Sequence, residues 1–137
     1  MHEFEIDGVR YGIDDGEGWE PPEDERTARL RELLQEGSSF LYVYDFGDYW
    51  QHRIVVEKRV PADARRSYPI CTDGRRACPP EDCGGPWGFR EFLDAIADPN
   101  HEEHDAMLEW VGGQYNPDDF DPAALKHRLK LGRLAAQ

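Results

Sequence analysis

The chain has 137 residues, with 29 Asp and Glu against 16 Lys and Arg, for a formal net charge of -13. That length predicts one domain, and the 39% hydrophobic and 12% aromatic content excludes a chain disordered by composition. The acidity argues against general binding to nucleic-acid phosphates, because lysine and arginine must supply that attraction; a local basic patch remains open at Arg65-Arg66 with Arg75-Arg76.

No stretch approaches the roughly 18 consecutive apolar residues of a membrane span. The N-terminus also lacks a charged-then-apolar signal pattern, so a cytoplasmic protein with no membrane partner is expected. Three cysteines, an odd number, fit a reducing compartment better than a disulfide framework.

Residues 3–13 predict two short strands joined at Asp7-Gly8, a strong hairpin signal. Residues 14–26 are acidic and rich in Gly and Pro, which predicts a surface loop. Thr27 is expected to cap a helix running through Leu34, with Leu30, Leu33 and Leu34 as its apolar stripe and Gly37 ending it. Residues 40–56 then alternate aromatic and β-branched side chains around Gly47-Asp48, predicting a second hairpin with a two-residue turn. That turn sets Asp45 opposite Trp50 and places Leu41, Val43, Asp45, Trp50, His52, Ile54 and Val56 on one face. Asp45 and His52 become diagonal neighbours there. The strand is expected to run to about Val60, before Pro61.

Residues 61–88 hold all three cysteines and five of the ten prolines. Only Tyr68-Pro-Ile-Cys71 resembles a strand, and a loop this long is usually functional or disordered. Three helices follow. Phe89, Phe92, Leu93 and Ile96 line the first, which Pro99 ends. His104, Met107, Leu108 and Val111 line the second, with Gly112-Gly113 at its C-cap. Asp121-Pro122 opens the third, docked by Leu125, Leu129 and Leu134. Strands first and helices after predict an α+β fold, an antiparallel sheet covered by C-terminal helices.

Tyr44-Asp-Phe-Gly-Asp48, Trp50, His52 and Ile54, with Cys71, Gly74 and Ala77-Cys-Pro-Pro-Glu-Asp-Cys-Gly-Gly85, resemble the plasmid pRiA4b ORF-3-like family. Gly88-Phe89, Phe92-Leu93, Trp110, Gly112 and Phe120-Asp121 continue the likeness, which covers most of the chain from about residue 2 to 125. The resemblance implies an α+β fold and a prokaryotic, plasmid- or insertion-element-associated protein, and it brings no activity with it. In the family this resembles, members usually carry roughly forty further residues before the stretch matching His2-Glu-Phe-Glu-Ile6, so this is either a short form or a chain whose true start lies upstream. A short form would leave a sheet edge and an apolar groove uncovered, so a homodimer or a protein partner at that edge is expected.

The candidate sites each have a plain structural reading beside the functional one. Cys71, Cys78 and Cys83 lie within thirteen residues, and thiolates around zinc, with His101 or His104 as fourth ligand, would tie such a loop down. Against zinc stand the Cys-x6-Cys and Cys-x4-Cys spacings, which lack a Cys-x-x-Cys pair; buried or surface thiols are the alternative. Asp45, Asp48 and His52 with Glu81 and Asp82 offer acid–base groups or hard-metal ligands. The plain reading is that the aspartates dress a turn and His52 is a hydrogen-bonded core histidine. His101-Glu-Glu-His104 is spaced i, i+3, unlike the i, i+4 histidines of a zinc-protease helix. Gly84-Gly-Pro-Trp-Gly88 precedes a helix, but Glu81 and Asp82 would repel a phosphate there and the lysine of a phosphate loop is missing. Two functions follow. The favoured one is a non-enzymatic interaction module with a zinc-stapled loop; the other is a metal-dependent, hydrolase-like enzyme using the five acid–base residues.

Overall fold

The computed structural model describes residues 1–135, and side chains to residue 130. The chain divides into two compact units, residues 1–61 with 84–87, and residues 62–83 with 88 onward.

Among the described residues the first unit is a five-stranded sheet of β1 (His2–Ile6), β2 (Val9–Gly12), β3 (Glu23–Asp24), β4 (Ser39–Tyr44) and β5 (Trp50–Val55), ordered β3-β2-β1-β4-β5. Strands β1 (His2–Ile6) and β2 (Val9–Gly12) form the expected hairpin. Asp7 and Gly8 both sit in the left-handed region, φ 50° and 76°, as a two-residue hairpin turn of this twist demands. After the acidic loop, β3 (Glu23–Asp24) returns parallel to β2, so the sheet is mixed where an antiparallel one was expected.

The expected Thr27 cap is absent. Asp24 caps a single 3₁₀ turn, Glu25–Thr27, by accepting the Arg26 amide at 3.0 Å, and the Thr27 hydroxyl donates back to the Asp24 carbonyl at 2.8 Å. Helix α1 is one turn, Leu30–Leu33, without a side-chain cap. Its end closes the core of the unit: Ile6, Leu34 and Phe40 are buried, flanked by Phe4, Tyr11, Leu33 and Val56. Each fully buried side chain of this size contributes about 1.5–3 kcal/mol.

Strands β4 (Ser39–Tyr44) and β5 (Trp50–Val55) pair Tyr44 with Trp50 and Tyr42 with His52. The connection is five residues long rather than two, and the register moves by one. Asp45 and Tyr49 both adopt left-handed φ, 58° and 57°, and this lets the chain reverse over the longer span. Because side chains alternate with period two, the shift seats His52 on the face of Phe40, Tyr42 and Tyr44, and Asp45 leaves the ladder. Pairing ends at Val56, whose amide donates to Ser38, short of the expected Val60.

In the second unit, residues 62–83 hold no helix or strand, Tyr68–Cys71 included. They are fixed by the Ala77 amide donating to the Pro117 carbonyl at 3.0 Å, and by the Phe120 ring lying against Gly74 so closely that a Cβ there would collide. Helix α2 (Gly85–Ala97) starts four residues earlier than its apolar face suggested, and its first residues are counted with the sheet unit. Phe92 and Ala95 are buried, and the Phe92 ring meets Tyr115 at 5.3 Å and Trp110 at 5.8 Å. Helix α3 (His104–Val111) ends at Gly112 in the left-handed conformation, φ 98°, whose amide bonds the Glu109 carbonyl. Helix α4 (Pro122–Ala135) is capped as expected, Asp121 Oδ1 accepting the Ala123 amide at 2.9 Å. Leu134, expected to help dock it, lies outside the described side chains. No helix among the described residues is long and apolar enough to cross a membrane.

Candidate functional site

The two stretches that carry the resemblance, the aspartate turn and the double glycine, meet in the sheet unit. Asp45 Oδ1 accepts the Gly47 amide at 3.0 Å and the Asp48 amide at 3.4 Å, while its backbone carbonyl takes the Tyr49 amide. The Asp45 amide donates to the Met1 carbonyl at 2.8 Å, tying the turn to the start of β1. Asp48 Oδ2 accepts the Gly84 amide at 3.2 Å. Gly85 sits at φ 69° against the Asp48 carbonyl oxygen, where a Cβ would collide. Only glycine combines that φ with so close a backbone approach. Both aspartates thus hold backbone amides, the turn-dressing role that the spacing also allowed.

His52 has no Asp45 beside it. The one-residue register shift puts it opposite Tyr42, ring centroids 5.5 Å apart, and its Nδ1 donates to the Tyr42 carbonyl at 3.2 Å. This corrects the expected Asp45–His52 neighbour pair. The rings of Phe4 and Tyr42, 4.9 Å apart, continue an aromatic face to His2, whose Nε2 meets the Glu25 carboxylate at 2.8 Å. Glu81 and Asp82 are both exposed in the second unit.

The cysteine loop makes two hydrogen bonds of its own. Cys71 Sγ donates to the Asp73 carbonyl at 3.2 Å, and the Tyr115 hydroxyl donates to the Cys78 carbonyl at 3.0 Å. Burial, reinforced by the Cys78 and Cys83 thiols, pushes the Tyr115 phenol above its ordinary range. His104, odd as the first residue of an apolar stripe, donates from Nδ1 to the Ala95 carbonyl at 2.8 Å and so satisfies the end of α2. Among the described residues no three His, Cys, Asp or Glu side chains come together as a metal site.

The sheet edges differ, a feature that residue-type reasoning did not reach. Val56 donates to Ser38, and Asp45 donates to Met1, which fixes the alternation of the ladder bonds. Trp50, His52 and Ile54 therefore turn their backbone groups toward β4, and Gln51, Arg53 and Val55 turn theirs outward. No strand among the described residues pairs with that outer edge. The opposite edge is blunted: β3 has two acidic residues and passes straight into a 3₁₀ turn.

A family model described as plasmid pRiA4b ORF-3-like protein matches residues 1–124. The chain is 42% identical over 126 residues to uncharacterized protein y4hQ of Sinorhizobium fredii (strain NBRC 101917 / NGR234), covering 90% of this chain and 62% of that one. It thus spans less than two thirds of that relative's length. The fold is similar to the crystal structure of a protein of unknown function, MM3350, from Methanosarcina mazei Go1. The TM-score is 0.80 and the identity 38%, over 90% of this chain and 71% of the other.

Proposed function

The chain belongs to the plasmid pRiA4b ORF-3-like family, and from that premise we propose that it is a small non-enzymatic interaction module that takes up an extended segment of a partner protein along β5. Its setting in this reading is a gene carried on plasmids, after the plasmid in the family's description, or on mobile elements. The observation that carries the proposal is the open edge at Gln51, Arg53 and Val55, beside an opposite edge that is blunted. Strand addition uses such backbone groups for affinity and the alternating side chains for selectivity. The occupant is a segment of another protein with a carboxylate facing Arg53. A twofold copy centred on Arg53 would set Arg53 against itself, and two chains of net charge -13 repel.

The test uses amide exchange followed by NMR. In the free chain the Gln51, Arg53 and Val55 amides should exchange quickly while those of His52 and Ile54 stay protected. A capped seven-residue peptide of alternating Val and Thr with a central Glu should slow the three outward amides. Arg53→Pro should abolish that effect without unfolding the sheet, because the lost N–H points away from β4. Outward amides already protected in a concentration-dependent dimer, or unmoved by the peptide, would refute the proposal.

A further inference from the structure

The second unit contains a cavity of about 570 Å³ between residues 65–71 and the first turns of α4. Its charge runs against that of the chain. Among the described residues Arg65, Arg66, Lys126 and Lys130 line it and no Asp or Glu does, in a protein of net charge -13. Arg65 and Arg66 share one carboxylate, Asp63, at 3.2 and 3.7 Å, and Asp121 lies one residue before the lining Pro122. Set against those two carboxylates, the four cations still leave the cavity positive. Lys126 and Lys130 are spaced i, i+4, so one face of α4 presents both.

The remainder of the lining is mostly apolar, with Pro69, Ile70, Pro122, Ala123 and Leu129 beside Ser67, Tyr68 and Cys71. Leu129 is half-buried, and the Tyr68 phenol accepts the Asp63 amide at 3.0 Å. The volume falls in the range of small-molecule sites, roughly 300–1,000 Å³. A free inorganic anion would leave the apolar lining wet, and a neutral apolar ligand would leave the cations without a counter-charge. We propose that this cavity binds an amphiphilic anion, a carboxylate or phosphate head carried on an apolar body, with the head among Lys126, Lys130 and the two arginines. The aliphatic stems of those four residues then extend the apolar contact.

The experiment is calorimetric titration of the full chain with octyl phosphate below its micelle concentration, alongside octanol, inorganic phosphate and adenosine monophosphate. Octyl phosphate should bind at one saturable site, with octanol and inorganic phosphate each weaker by tenfold or more. Adenosine monophosphate binding more tightly than octyl phosphate would make the body a nucleoside rather than an alkyl chain, and would equally support the site. The doubly charge-reversed variant Lys126→Glu, Lys130→Glu alters two exposed residues and should keep its thermal melt while losing affinity on the order of tenfold. Octanol binding as tightly as octyl phosphate, or no saturable binding by either phosphate ester, would overturn the proposal. So would an affinity within twofold of wild type in the variant. Displacement of octyl phosphate by a twelve-nucleotide single strand with a steep salt dependence would overturn it in favour of a nucleic-acid surface.

Discussion

Replacing Gly85 by alanine asks how much of the sheet unit rests on the meeting of the aspartate turn and the double glycine. At φ 69° an alanine carries the left-handed penalty, about 1–2 kcal/mol. Its methyl also runs into the Asp48 carbonyl oxygen, a backbone atom that cannot rotate away. Asp48 must then shift, and its carboxylate loses the Gly84 amide 3.2 Å away, an exposed contact worth about 1 kcal/mol. Together these predict about 2–3 kcal/mol of destabilisation. Gly37→Ala supplies the control: Gly37 sits at φ 84° with open space where its Cβ would be, so only the backbone penalty applies. Urea unfolding followed by far-ultraviolet circular dichroism would read the difference. With a slope of about 2 kcal/mol per molar, Gly85→Ala should lower the midpoint by about 1–1.5 M, about 0.5 M more than Gly37→Ala does. Equal losses in the two variants would refute the reasoning, since the contact with Asp48 would then add nothing.

In the second unit, Phe92→Ala empties the space where Phe92 meets Tyr115 and Trp110 and should cost about 3–4 kcal/mol by denaturant unfolding. A loss under 1 kcal/mol would show that the unit does not depend on this packing. The raised Tyr115 phenol gives a signed pH dependence. Above about pH 10 the unfolded chain releases that proton while the native chain keeps it, so stability should fall from about pH 10 up to the native titration midpoint. Tyr115→Phe should flatten that slope, and an unchanged slope would assign it to other groups. Elemental analysis of protein purified without a histidine tag should give well below one zinc per chain, since no three donors converge among the described residues. One zinc per chain, lost in Cys78→Ser, would instead support the thiolate site.

The parts of the fold that were legible in the residues are those where a local rule has one solution. Asp7-Gly8 makes a two-residue turn, Gly112 ends a helix in the left-handed conformation that glycine adopts without a Cβ penalty, and Asp121 before Pro122 opens one. The central hairpin was located but misregistered, because Gly47-Asp48 reads as a two-residue turn while two non-glycine residues, Asp45 and Tyr49, take the left-handed positions. The consequence was large: every side chain of β5 moved to the opposite face relative to β4, and the proposed Asp45–His52 pair vanished with it. The basic cavity was half visible. Arg65-Arg66 stood out as a patch, yet the residues that complete it are Lys126 and Lys130, some sixty positions later, rather than Arg75-Arg76. No periodicity in an irregular stretch can announce a partner that far away.

The order in which the chain visits its two units limits what can be cut from it. The backbone leaves the sheet unit after Pro61, returns for residues 84–87, and leaves again. A fragment ending at Pro61 would therefore contain every strand among the described residues yet lack the glycines that close on Asp48, and a fragment starting at Ala62 would carry those glycines with nothing to close upon. Neither unit is one continuous stretch of chain, so no single cut separates them whole. Recombination that respects this architecture must move both together, or else rejoin the chain so that residues 84–87 still follow the sheet.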